Sequence, residues 1–162
     1  MLDRPSRKLS VILQREAVQS RWESHRWSLL AVVPDVGGAP RAIVETDSVL
    51  QRVHPGFDAV LYRDEAEGYY LNVSSDEPSV FVSLRVDAAT GDAYPFQVTL
   101  SYNEAARWMD SNERVERVPA WPDLADWAAA WVAENYRPEP KKRRKPRSFE
   151  GKEGVLREEG NS

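Results

Sequence analysis

The sequence contains no cysteine and only two histidines among 162 residues. The lack of cysteine excludes a disulfide framework, an iron–sulfur centre, a thiolate zinc site and a thiol nucleophile. No apolar run approaches the roughly 20 residues that cross a bilayer, and the basic start is not followed by the apolar stretch of a signal peptide. We therefore expect a cytoplasmic protein with no membrane contact.

The composition is that of a globular domain, with 41% hydrophobic and 30% charged residues, but the charge is unevenly divided. Residues 138–162 carry eight Lys or Arg and five Asp or Glu, whereas residues 1–137 carry 14 and 21. The last segment also has too few apolar side chains to offset the entropy of ordering it. We predict a frayed N-terminus over residues 1–7, a single α+β domain over residues 8–137 and a disordered, basic-then-acidic tail over residues 138–162.

Alternation of apolar and polar residues, the period of a β-strand with one buried face, dominates the chain up to residue 100. It is clearest over residues 26–33, 57–63, 68–74, 80–86 and 94–100, and weaker over residues 9–14 and 42–45. The acidic stretch between the second and third of these segments predicts a hairpin. Short links between sequential strands favour antiparallel pairing.

The period changes to that of a helix after residue 100. Ser101 and Glu104 have the spacing of a capping box, in which each side chain satisfies the other residue's free backbone N–H. Residues 114–118 fit one more edge strand. A second helix is predicted to begin at Pro122, with one apolar stripe formed by Leu124, Trp127, Ala128, Trp131 and Val132. The predicted fold class is α+β, a bent antiparallel β-meander or partly closed barrel with two C-terminal helices.

The two histidines are the first candidates for acid–base chemistry, and neither lies in a catalytic motif. His25 shares a strand face with Glu23, an arrangement that allows an imidazole–carboxylate pair, but an exposed histidine at a strand start is the commoner case. His54 precedes a Pro-Gly pair and is expected in a loop. The acidic clusters over residues 64–67 and 110–116 lack the spacing of a calcium loop. We predict no catalytic residue, no metal site and no cofactor.

The polar face of the predicted sheet is a candidate binding surface. With strict alternation it presents Tyr70, Asn72, Phe81 and Arg85, and aromatic rings beside a guanidinium can stack on bases or receive a peptide. Coverage of this face by helices is the competing explanation, since six Trp and six Tyr in a small domain belong mostly to the core. The predicted binding residues are these four together with Trp22, His25 and Trp27.

A basic run in the tail is a second candidate contact surface. It consists of Lys141, Lys142, Arg143, Arg144, Lys145 and Arg147. Such a run can attach to phosphates or to an anionic surface. The acidic charge of the domain argues against nucleic acid, because a nucleic-acid-binding domain is expected to be basic itself. We expect the run to contact either the acidic domain of its own chain or an acidic partner.

Several segments resemble a bacterial family of unknown function over roughly residues 8–147. They are Ser20-Arg21-Trp22, His25-Arg26-Trp27, residues 29–34, Tyr69-Tyr70-Leu71-Asn72, the PSVFVSLR segment of residues 78–85, Val98-Thr99, Ser101, Glu104-Ala105, Val115-Glu116, Val118-Pro119, and Trp127 and Trp131 ahead of the basic tail. Genes of that family commonly stand beside those for molybdenum-dependent formate dehydrogenases. Some members are labelled molybdopterin-guanine dinucleotide biosynthesis protein A.

The resemblance implies an accessory role near formate dehydrogenase or molybdenum-cofactor maturation. The leading hypothesis is a non-catalytic accessory protein that binds a formate dehydrogenase subunit or a maturation factor. The alternative is a domain, enzymatic or not, that binds the molybdenum cofactor or a nucleotide. Dinucleotide synthesis itself is not expected, because the start of the chain lacks the Gly-rich nucleotide loop, ending in Arg and Lys, on which that enzyme class depends.

Overall fold

The computed structural model describes residues 4–19, 21–22 and 24–138. Within these residues the chain forms seven strands and three helices. The strands are β1 (Ser6–Ala17), β2 (His25–Pro34), β3 (Arg41–Glu45), β4 (Val49–Val60), β5 (Ser79–Val86), β6 (Ala93–Thr99) and β7 (Arg114–Pro119). The helices are α1 (Ala66–Val73), preceded by a 3₁₀ turn over Arg63–Glu65, α2 (Tyr102–Asp110) and α3 (Pro122–Asn135). Apart from Pro138, the predicted tail lies outside the described residues.

The strands form two antiparallel sheets. The N-terminal sheet has the order β2-β1-β4-β3, and the C-terminal sheet has the order β6-β5-β7. Leu9, Val11 and Leu13 of β1 are fully buried, as alternation requires of a strand with one face in the core. Val80 and Val82 of β5 are equally buried. Residues of both sheets belong to one hydrophobic cluster, so the core lies between them.

Side chains join the edge strands β2 and β7. The backbone N–H of Leu29 donates to Glu116 Oε1 at 2.8 Å, and Arg114 Nη2 donates to the carbonyl of Trp27 at 2.5 Å. We name this contact the β2–β7 seam. Among the described strands, every backbone ladder stays within its own sheet, so they form no closed barrel.

The α+β class, the antiparallel pairing and the C-terminal helices are confirmed. The segments over residues 9–14 and 42–45, where the strand pattern is weaker, belong to β1 and β3. α3 begins at the predicted proline and buries the centre of its apolar stripe, at Leu124, Ala128 and Val132. No helix in the described ranges has the length and apolar content needed to cross a membrane.

Of the two hydrogen bonds that the predicted capping box requires at the start of α2, one is present and the other is replaced. Ser101 Oγ accepts the backbone N–H of Glu104 at 3.0 Å, as the capping box requires. The N–H of Ser101 donates to Thr99 Oγ1 at 3.0 Å, and that hydroxyl donates to Glu104 Oε1 at 2.5 Å. The threonine hydroxyl thus stands between the two groups that the sequence pattern would join directly.

The prediction of a strand over residues 68–74 is wrong, because α1 covers most of this segment. The apolar alternation there also fits a helix, since Ala66, Tyr69 and Val73 recur at the i, i+3 and i+7 positions of one helical face. Acidic residues in the 3₁₀ turn and the first turn of α1 suit the positive end of the helix dipole. Tyr69 and Asn72 are consequently both buried.

The expectation of a loop at His54 is also wrong, because β4 runs through the Pro-Gly pair that follows it. The pair forms a β-bulge: Leu9 of β1 pairs with Phe57, whereas Val11 pairs with His54. Gly56 has a φ of 87°, a left-handed conformation that glycine adopts without steric cost. The bulge therefore lets one long strand absorb residues that by themselves suggest a turn.

Candidate functional site

The predicted binding residues at the start of β2 lie in contrasting environments. Trp22 is 85% exposed, whereas Trp27 is only 8% exposed. The guanidinium carbons of Arg15 and Arg52 lie 5.8 and 5.5 Å from the centre of the Trp27 ring. Trp27 is therefore a core residue in cation–π contact with two arginines.

His25 and Arg85 have separate partners. His25 is exposed, with Nδ1 lying 3.0 Å from Ser24 Oγ, and Glu23, its predicted partner, is outside the described residues. Arg85 donates from Nε and Nη2 to the Glu113 carboxylate at 3.3 and 2.8 Å. In the described part of the chain no hydrogen bond or ion pair joins His25 to Arg85.

Arg85 is already neutralised in the free protein. Its hydrogen bond to Glu113 holds the pKa of that carboxyl below the usual value and raises the pKa of the guanidinium. The guanidinium carbon also lies 3.4 Å from the centre of the Phe96 ring, which is partly exposed. Arg85 therefore offers an outside carboxylate less attraction than a free arginine would.

Two segments that carry the family resemblance meet through β7. Leu29, a few residues after His25, donates its N–H to Glu116 across the seam. Glu116 in turn pairs with Val82 of β5, within residues 78–85. The two segments thus lie on either side of one strand and belong to one structural unit.

Asn72 is nearly fully buried and links α1 to two other elements. Its Nδ2 donates to the carbonyl oxygens of Ser79 and Leu100 at 2.8 and 2.9 Å, and its Oδ1 accepts the N–H of Ser79 at 2.9 Å. These bonds occupy both donors of the amide. Asn72 therefore fixes the end of α1 against the start of β5 and the corner between β6 and α2.

Phe81 is buried beneath two exposed side chains. The ring of Tyr102 meets it edge-on with 6.1 Å between ring centres, and the guanidinium carbon of Arg117 lies 5.2 Å from its centre. Tyr70 packs instead on Tyr136, with 5.2 Å between ring centres. Of the predicted binding residues, Asn72 lines the surface formed here, and Phe81 lies beneath it.

That surface is an open groove of about 280 Å³, which we name the Arg117 groove. It lies where α1, α2 and β7 meet, and its lining residues are Leu71, Asn72, Ser75, Tyr102 and Arg117. Leu71 and Tyr102 are 41% and 49% exposed, high values for large side chains of this kind. The groove therefore presents two exposed apolar surfaces beside one cation.

Arg117 is held in place by neutral acceptors. Its Nε and Nη2 donate to Ser79 Oγ at 3.2 and 3.1 Å, and Nη2 also donates to the carbonyl of Glu77 at 3.4 Å. Within the described residues Arg117 has no carboxylate partner. Three other arginines of the C-terminal half each pair with a glutamate, namely Arg85, Arg107 and Arg114. Among the described residues, no carboxylate forms an ion pair with Arg117, although Asp76 and Glu77 are exposed on the adjacent loop.

The acidic residues of the 3₁₀ turn and α1 anchor α2. Glu65 accepts the Ser101 hydroxyl at 2.7 Å and pairs with Arg107, and Glu67 accepts Asn103 Nδ2 at 3.1 Å. Over the residues that the structure describes, no group of three His, Asp or Glu side chains is placed to hold a metal ion. These carboxylates therefore position the helix that supplies Tyr102 to the groove.

Four groove residues are absent from the sequence-based prediction, namely Leu71, Ser75, Tyr102 and Arg117. Arg117 falls in the predicted edge strand, Tyr102 follows the predicted cap, and Leu71 falls on the buried face of a predicted strand. Had residues 66–73 been predicted as a helix, Leu71 would have been expected on a different face from buried Tyr69. Nothing local indicates that the three elements meet.

The basic run over residues 141–147 lies outside the described residues, and its contact with a partner stays a prediction. A family model described as a protein of unknown function, DUF3305, matches residues 8–145. The match includes the whole of β2 to α3. No curated protein and no solved structure matches the chain.

Proposed function

The chain belongs to the DUF3305 family, and from that premise we propose that it is a non-catalytic accessory protein in formate dehydrogenase or molybdoenzyme maturation. In this role it binds a protein partner, either an enzyme subunit or a maturation factor. The link to formate dehydrogenase is supported by the sequence resemblance. The observation that carries the binding role is the Arg117 groove.

The groove has the chemistry of a protein-binding surface. Aromatic residues and arginine are enriched where proteins bind one another and contribute much of the binding energy. Tyr102 and Arg117 are both in contact with buried Phe81, so less side-chain freedom is lost when a partner binds. A partner that covers the groove would also remove the exposed surface of Leu71 from water.

The alternative function, binding of the molybdenum cofactor or a nucleotide, has one observation in its favour. The Arg117 guanidinium can bind phosphate, and the nearby Tyr102 ring can stack on a base. The groove volume of about 280 Å³ is close to the lower limit of the roughly 300–1,000 Å³ that is usual for small-molecule pockets. Saturable binding of a guanine nucleotide, lost in Arg117→Gln, would favour this alternative.

Affinity purification from the native host tests the proposal. We expect the tagged full-length chain to co-purify with a molybdoenzyme subunit or maturation factor, and deletion of its gene to lower formate oxidation. Leu71→Lys should lose the partner, whereas Ile43→Lys, a matched change at an exposed apolar residue of β3, should retain it. Capture of no such protein, together with normal formate oxidation in the deletion strain, would refute the proposal.

A further inference from the structure

The Arg117 groove combines a cation with exposed apolar surface, and this combination limits what can bind there. The guanidinium is anchored by Ser79 Oγ and lies over the Phe81 ring. An incoming carboxylate can therefore pair with it without first ordering a flexible side chain. Because no carboxylate of the described residues occupies this position, a partner would supply one.

The chemistry of the groove favours an occupant made of a few side chains. Its volume of about 280 Å³ is close to the lower limit of roughly 300 Å³ for ligand pockets. Leu71 and Tyr102 form its apolar part, and an apolar side chain placed on them would remove their exposed surface from water. An acidic side chain beside a large apolar one matches both parts of the groove.

Neighbouring charges favour a single carboxylate over a polyanion. Asp76 and Glu77 are exposed on the loop that carries Ser75, and acidic residues outnumber basic ones by 21 to 14 over residues 1–137. A nucleic acid would bring many phosphates towards these carboxylates. One carboxylate on a protein segment can approach Arg117 with less repulsion.

Building on the proposed function, we infer that the Arg117 groove recognises a partner-protein segment in which an acidic side chain adjoins a large apolar one. The carboxylate pairs with Arg117, and the apolar side chain covers Leu71 and the Tyr102 ring.

NMR titration of the full-length chain with end-blocked tetrapeptides tests this inference. The probes are Gly-Leu-Glu-Gly, Gly-Leu-Gln-Gly and Gly-Ala-Glu-Gly, with sodium phosphate and a Leu peptide bearing a free C-terminal carboxylate as alternative anions. We expect the Leu-Glu peptide to shift the Leu71 methyl and Arg117 Nε–H signals. It should bind roughly tenfold more tightly than the Leu-Gln peptide, because a charge-assisted hydrogen bond is about twice as strong as a neutral one. Added salt should reduce this preference.

Matched variants assign the binding to the groove. Arg117→Gln should abolish the preference for Glu over Gln. Arg41→Gln should leave it unchanged, because Arg41 also bonds only to carbonyls, those of Gly37 and Ala39, but lies on β3. Should Arg117→Gln fail to fold, Leu71→Ser changes only an exposed side chain and is expected to weaken the Leu-Glu peptide.

Three results would overturn the inference: no binding of any peptide, equal binding of all three, or equal binding in wild type and both groove variants. Phosphate or the C-terminal carboxylate binding as tightly as the Leu-Glu peptide would also overturn it. These results would not affect the proposed function if the chain still co-purifies with a molybdoenzyme subunit or maturation factor. A peptide preference without a molybdoenzyme partner would instead refute the proposed function alone.

Discussion

Asn72 joins three backbone groups of two other elements, and its removal should be costly. In Asn72→Ala the carbonyls of Ser79 and Leu100 and the N–H of Ser79 lose this partner in a buried environment. Each buried polar group left unsatisfied costs about 1–3 kcal/mol. We expect the free energy of unfolding, measured by urea titration, to fall by about 3 kcal/mol.

The exposed neighbour Ser74 provides the control, since Ser74→Ala should change stability by less than about 0.5 kcal/mol. Asn72→Asp keeps the shape of the side chain but replaces a donor that faces two carbonyls with an acceptor. It should therefore be at least as destabilising as Asn72→Ala at neutral pH. A wild-type unfolding curve for either variant would show that the amide does not fix this corner.

His54 should make the protein less stable in mild acid. Its Nε2 is buried without a hydrogen-bond partner among the described residues, and burial, with the nearby Arg52 charge, lowers its pKa from 6.5 to about 4. Above pH 6.5 the imidazole is neutral in both states. Between pH 6.5 and 4 the unfolded chain binds a proton that the folded chain does not. The free energy of unfolding therefore decreases as the pH is lowered through this range and becomes constant below about pH 4.

A variant without this imidazole isolates its effect. Between pH 7 and pH 5 we expect wild type to lose roughly 1–2 kcal/mol more than His54→Leu, as measured by urea unfolding. Parallel curves for wild type and His54→Leu would contradict this assignment.

Close packing of α1 on the start of α2 requires a glycine at position 68. A Cβ there would lie 2.0 Å from Ser101 Oγ and 3.1 Å from the backbone nitrogen of Asn103. Gly68→Ala should therefore destabilise the protein by about 2 kcal/mol, although alanine favours a helix by about 1 kcal/mol over glycine. Thermal unfolding measures this. Asp64→Ala, at an exposed position of the preceding 3₁₀ turn, should have a much smaller effect. A more stable Gly68→Ala protein would mean that the helices can separate.

Elements whose signals are local could be predicted from the sequence, and those that depend on distant contacts could not. α3 has a proline start and an unbroken apolar stripe, so its own residues specify it. The residues of α1 satisfy both a strand period and a helix period, and packing against α2 and α3 decides between them. The Pro-Gly pair of β4 is typical of a turn in the sequence, but pairing with β1 makes it a β-bulge within a continuous strand.

The candidate site also could be predicted only where its residues stand out in the local sequence. The sequence pattern drew attention to Asn72 and Phe81, which lie in or beneath the groove, because polar or aromatic residues stand out within an apolar alternation. It did not identify Arg117, whose role depends on the absence of a carboxylate that forms an ion pair with it. That property belongs to the assembled tertiary structure, and no spacing along the chain encodes it.

The seam between the two sheets should depend on one carboxylate. Glu116 accepts the N–H of Leu29 and pairs with Arg114. Glu116→Ala should cost about 2 kcal/mol, since hydrogen bonds to charged groups contribute about 1.5–3 kcal/mol. Glu116→Gln can still accept the N–H and should cost less. Thermal unfolding ranks the variants against Glu134→Ala, an exposed change on α3, and equal melting temperatures for all three would mean that the seam is held by other contacts.

Every strand of the N-terminal sheet lies within residues 6–60, and every strand of the C-terminal sheet lies within residues 79–119. Each sheet can therefore assemble from its own continuous piece of chain, although the pairings of Ser6 with Val60 and of Ser79 with Pro119 each close a long loop. The two halves are then expected to behave as separate cooperative units in native-state hydrogen exchange. The amide hydrogen of Leu29 is bonded across the β2–β7 seam. It should exchange when the two sheets separate, before the strands within either sheet lose their hydrogen bonds.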